Sequence, residues 1–126
     1  PTAMARGQMA AQRRALRKRL IDYALGLPEA YIDHPWGEDV AKVGKKVFVF
    51  FGTGQGDFGM GVKLPDSAPL ALAQQGVRPS GYGLGDSGWV NVNFSEATLP
   101  YEMLRDWITE SYRAVAPKKL SMTLEG

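Results

Sequence analysis

Apolar residues near the start of the chain recur at helical spacing. Met9, Leu16, Leu20, Tyr23, Ala24 and Leu27 form one stripe, with Arg14 and Lys18 opposite and Arg17 and Arg19 on its flanks. This predicts an amphipathic helix over 9–27 with a basic back, stopped by Gly26 and Pro28. The segment 31–37 reads as a structured loop, because Pro35 disfavours helical geometry at His34 and Gly37 permits a turn. Two strands follow at 38–43 and 46–51. They are joined by Gly44-Lys45, where glycine in the first central position suits a type II′ hairpin. The run Val47 to Phe51 is apolar on both faces, which predicts a central strand covered on both sides.

Beyond a glycine-rich loop, Phe58, Met60, Val62 and Leu64 alternate with Gly59, Gly61 and Lys63. Two glycines on one strand face imply that something approaches that face closely, either a packed helix or a ligand. A short helix is expected over 68–75, with Gly76 as its stop, and 78–88 is turn-like. Val90, Val92 and Phe94 then face one way, while Trp89, Asn91 and Asn93 face the other. A last helix over about 100–116 presents Leu104, Trp107, Ile108, Ser111 and Val115. Its acids Glu102 and Asp106 come early and Arg113, Lys118 and Lys119 late, as the helix dipole favours. The expected architecture is α+β, an antiparallel sheet of about five strands with N-terminal, middle and C-terminal helices in the order α-β-β-β-α-β-β-α.

Composition narrows the chemistry. The 126 residues suit one domain, and zero cysteines leave out disulfides, thiolate metal sites and a cysteine nucleophile. The single histidine, His34, has no second histidine with which to build a two-histidine metal site. The longest uncharged run, 67–77, is shorter than the roughly 18 residues a membrane-spanning helix needs. Without an apolar signal segment, a cytoplasmic protein is the expectation. The net charge of +2 hides a division. Arg6, Arg13, Arg14, Arg17, Lys18 and Arg19 lie in residues 1–19 with no acid, and the remaining nine bases face all 13 acids. The basicity is local.

Several short motifs read as structure. Gly83-Leu84-Gly85-Asp86-Ser87-Gly88 has the lettering of a dinucleotide fingerprint, yet a strand follows it where a helix must receive the pyrophosphate. It is expected to be a glycine-rich turn. The Gly52-Thr53-Gly54-Gln55-Gly56 loop lacks the Gly-Lys-Ser/Thr of a Walker loop. Asp33, His34, Glu38 and Asp39 form the best local cluster for acid–base or metal chemistry, although a histidine before proline reads first as a loop-fixing hydrogen-bond group. Asn93-Phe94-Ser95 is a sequon that reads as chance.

Lys42, Lys45 and Lys46 concentrate positive charge on one hairpin, with Lys63 on a nearby strand. That pattern fits a solvated edge on which lysine blocks aggregation, and it also fits a phosphate-contacting wing. The Trp89, Asn91 and Asn93 face adds to the second reading, since an aromatic ring stacks on bases and amides bond base edges.

Taken together and in order, several runs resemble the MmcQ/YjbR family over roughly residues 16–120. They are Leu27-Pro28-Glu29-Ala30-Tyr31, Asp33-His34-Pro35-Trp36-Gly37, the strand pair ending in Phe51-Gly52, Val62-Lys63-Leu64-Pro65, Gly88-Trp89-Val90, and Leu104-Arg105-Asp106 through Glu110-Ser111-Tyr112-Arg113. The resemblance implies one small α+β domain (core about 9–120) similar to frataxin-like and secretion-chaperone-like folds. It also implies a DNA-binding role through a double wing of hairpins, with no catalytic motif and no cofactor. On that footing Lys42, Lys45, Lys46, Lys63 and Arg78 would contact phosphates, helped by Arg14, Arg17 and Lys18, and Trp89 and Asn91 would meet bases. The second contact region would fall at 78–89, where Asp86-Ser87-Gly88 departs from a basic pattern. The alternatives are a protein- or peptide-interaction module using a sheet face, and a small-molecule site lined by Trp36, Trp89 and the glycine turns around Asp33 and His34. A monomer is expected ahead of an obligate oligomer.

Overall fold

The computed structural model describes residues 3–56, 58–81, 84–95, 97 and 99–125, with side chains described for all of these except residues 3–8, Trp36 and Glu125. Helix α1 (Ala3–Leu25) is followed by strands β1 (Ala30–Asp33), β2 (Asp39–Val43), β3 (Lys46–Gly52) and β4 (Phe58–Lys63). Then come α2 (Ala68–Leu72), β5 (Val77–Pro79), β6 (Trp89–Asn93), α3 (Tyr101–Val115) and α4 (Lys118–Met122). Short 3-10 turns stand at Pro35–Gly37, Leu84–Ser87 and Thr123–Glu125. The strands form one antiparallel sheet in the order β1-β2-β3-β4-β6-β5. The fold is therefore α+β, with one strand more than expected. No helix among the described residues is long and apolar enough to cross a membrane.

The additional strand is β1, which lies in the segment read as a loop. Tyr31, Ile32 and Asp33 pair with Lys42, Ala41 and Val40 of the next strand. Four residues with mixed polarity carry too little alternation to register as a strand, and the edge pairing comes from the partner. The turn-like reading of 78–88 also gives way at its start. There Arg78 and Pro79 pair with Asn91 and Val90 as the opposite edge, where proline is tolerated. The middle helix is shorter than expected, and the last helix ends before Lys118 and Lys119. Ala116 takes an extended ψ of 151° ahead of Pro117, and α4 begins beyond it.

Most of the large buried side chains belong to one cluster between the sheet and the helices, while Val40, paired with Phe50, is buried on the opposite face. Leu20 and Ala24 of α1 and Leu104, Ile108 and Tyr112 of α3 meet Phe48, Val49, Phe51, Met60, Val62, Val90 and Val92. Among the described residues, the opposite sheet face carries no α-helix layer. Strand β3 accommodates its run of apolar residues in an unexpected way. Register shifts against β2 leave Phe48 and Phe51 as extra residues, so that Phe48, Val49 and Phe51 all face the helices while Val47 and Phe50 turn outward. The strand is thus bulged twice, and only one of its faces is covered by helices.

A similar shift leaves Gly59 unpaired between Phe58 and Met60. What approaches the glycines is the sheet's own side chains. A Cβ on Gly59 would collide with the Phe94 ring, and one on Gly61 would stand 3.1 Å from Asn91 Oδ1.

Candidate nucleic-acid interface

Cross-strand register decides which sequence-selected residues share a surface. Arg78 pairs with Asn91, Asn91 with Gly61, and Gly61 with Phe50, while Lys63 pairs with Trp89. Directly paired residues project from the same side. Arg78, Asn91, Lys63, Trp89 and Phe50 therefore lie on the face opposite the helices, while Val62, Val90 and Val92 fill the core. Trp89 packs edge-on against Phe50, with ring centroids 5.3 Å apart, so the two half-buried rings make one platform. Tyr31, Lys42 and Val47 continue this face toward the other edge.

Two adjoining clefts run over this surface. One, of about 260 Å³, has Phe50, Asn91, Ser80, Leu84 and Glu38 in its walls. The other, of about 290 Å³, adds Arg78 and Asn93. Phe58 and Asn91 line both. Ser80 Oγ donates to Asn91 Oδ1 at 2.8 Å, which leaves the Asn91 Nδ2 hydrogens to answer an acceptor. Phe58 is 37% exposed, and Gly52 admits its ring, since a Cβ there would lie 2.8 Å from it.

The basic residues do not form one patch. Lys45 and Lys46 are exposed at the β2–β3 turn, where Gly44 takes a positive φ of 61° as the type II′ reading requires. Lys42 is held by Asp33, with Nζ donating to Oδ2 at 3.2 Å, and its side chain is 22% exposed. Arg14, Arg17 and Lys18 lie on α1 in the other layer. Lys18 is paired with Asp22. Arg17 pins α1 to the sheet, its Nη2 donating to Asp39 Oδ2 at 2.6 Å and to the carbonyls of Phe51 and Gly52. Lys63, by contrast, is in no described ion pair. Asp86 is exposed on the Leu84–Ser87 turn, whose Leu84 reaches the cleft.

The acidic cluster is a local network. Asp39 takes Arg17 on one oxygen and His34 Nδ1, at 2.7 Å, on the other. The Arg17 hydrogen bond, and then that of His34, holds its carboxyl below the usual range. Asp33 accepts the backbone N–H of His34 and then the Lys42 ammonium, and its carboxyl is lowered for those reasons. His34 is exposed and turned to Asp39, and neither open-face cleft includes it. Trp36's side chain, Asp57, Gly83 and the side chain of Arg6 lie outside the described residues.

Sequence patterning overlooked Phe58 and Arg13. Alternation assigned Phe58 to the core with Met60, and the bulge at Gly59 sends it outward. An isolated glycine inside a strand was the available signal. Compared with protein families, residues 25–114, well over half of the chain, match the family model YjbR. No curated protein matches.

Proposed function

The chain belongs to the YjbR family, and from that premise we propose that it is a non-enzymatic DNA-binding protein whose contact surface is the open sheet face. What supports the reading is one juxtaposition: Lys63, Trp89, Asn91 and Arg78 sit on paired positions of the face opposite the helix layer. Cations for phosphates, rings for bases and an amide with free donors are the groups that nucleic-acid recognition uses. Lys45 and Lys46 extend the cationic edge at the hairpin. Arg17, Lys18 and Lys42 are engaged with acids, so their contribution is small. Asn93, Phe50 and Phe58 join the surface.

The test is a mobility-shift titration at several salt concentrations. With about four phosphate contacts, log affinity falls against log salt with a slope of about −3 to −4. Changing Lys45, Lys46, Lys63 and Arg78 to Glu, with circular dichroism to verify folding, is expected to weaken binding at least tenfold and flatten that slope. Wild-type affinity in the quadruple variant overturns the assignment of this face, and absence of wild-type binding at low salt overturns the function.

A further inference from the structure

The open-face clefts do not end at Phe58. The same ring forms one wall of a third cleft, of about 230 Å³, between α1 and the turn that joins β3 to β4. Arg13 and Arg14 line it from the helix, and Gly54, Gln55 and Gly56 line it from the turn. Neither Arg13 nor Arg14 is ion-paired among the described residues, in contrast to Arg17 and Lys18 beside them. Arg17 also lines the cleft, and its Nε is buried there without an acceptor. Gly54 and Gly56 hold φ of 86° and 73°, and neither amide donates to a described backbone group. Gly54 lies against the Arg17 guanidinium, since a Cβ there would meet Cζ at 3.2 Å. Two guanidinium groups with no described ion pair, beside a turn whose glycine amides have no described backbone acceptor, give this cavity the chemistry of an anion site.

We infer that the groove between α1 and the 53–56 turn seats a backbone phosphate of a single DNA strand that leaves the open face across Phe58. The inference rests on the DNA-binding reading and specifies its substrate. An exposed ring at the junction of an amide-lined face and a bis-arginine groove suits a nucleotide with its base on the ring and its phosphate on the arginines. Only an unpaired base has a face free to stack there, which selects a single strand over a duplex. Phosphate contact with arginine is bidentate, so Arg13 and Arg14 bind with defined geometry rather than as diffuse charge.

Fluorescence anisotropy with a labelled thymidine oligonucleotide of about twelve residues, a length within the range of single-strand sites, tests this on the full chain. Arg13→Ala and Arg14→Ala together keep helix-forming residues in α1. They are expected to weaken binding about tenfold and to make the salt slope shallower by about 0.7, the single-strand value for one phosphate. The same sequence as a duplex is expected to bind less tightly at equal salt. Wild-type affinity and slope in the double arginine variant, with loss in a Lys63→Glu/Arg78→Glu variant, overturns the groove and leaves the open-face reading standing. Tighter binding of the duplex overturns the single-strand path. No oligonucleotide binding by the wild type at low salt overturns both readings.

Discussion

Ser111 is fully buried in an otherwise apolar layer, and its hydroxyl answers two backbone groups at once. It donates to the Phe48 carbonyl and accepts the Lys63 N–H at 2.8 Å. Phe48 and Lys63 are the next positions along from the Val49–Val62 pair, beyond the last recorded pair of β3 with β4. The hydroxyl fills the gap in the ladder. Ser111→Ala would leave a buried donor and acceptor unanswered, with an expected loss of about 1–3 kcal/mol, read from urea unfolding midpoints. A loss below a few tenths would mean that the strands close the gap themselves. Asp39 gives a pH-dependent counterpart. Its folded carboxyl is held below the ordinary value by Arg17, so its contribution is present above the unfolded pKa of about 4 and is lost as pH falls through the lower folded value. Asp39→Asn should therefore cost stability at neutral pH and cost progressively less below about pH 4. A constant difference across that range would contradict the pairing.

At the level of elements, the bulges matter more than the strand count. Gly59 exists because the Phe94 ring occupies the space of its side chain. Gly59→Ala is expected to destabilise by about 1–3 kcal/mol through overpacking, and adding Phe94→Ala should relieve part of that loss, giving non-additive unfolding energies. Additive losses would show that the ring yields without strain. Helix and strand periodicity made most elements legible. The α3 stripe holds at Leu104, Trp107, Ile108 and Ser111, and α1 buries Leu20 and Ala24 as its pattern requires, while Met9 at its start remains 49% exposed. Periodicity carries no record of bulges, which arise from pairing with a partner strand. That is why Phe51 faces the helices while Phe50 and Phe58 line the open-face cleft. For the same reason the open face was legible in Trp89, Asn91 and Lys63, whose alternation is unbroken, and illegible at Phe58. Which cations are already engaged by acids, as Arg17 and Lys42 are, depends on contacts across 22 and 9 residues that spacing alone does not show.

Across the whole molecule the two charge regions noticed in the sequence lie in different layers. The basic helix is on one side of the sheet, and Lys63 and Arg78 are on the other. They meet at the Phe58 ring, which lines clefts on both sides, rather than forming a single basic face. Asp33 limits the cationic character of the open side by holding Lys42. Asp33→Asn should release that ammonium, tighten DNA binding several-fold and steepen the salt slope by about 0.9 on duplex. Unchanged affinity would show that Lys42 stays out of reach once freed. The serine that spans the β3–β4 gap also has a kinetic meaning. An amide bonded within a ladder is released when its two strands part, whereas the Lys63 amide is held by a helix. Its exchange with deuterium requires α3 to lift from the sheet, so that one proton times the undocking of the helix while its neighbours time the fraying of strands.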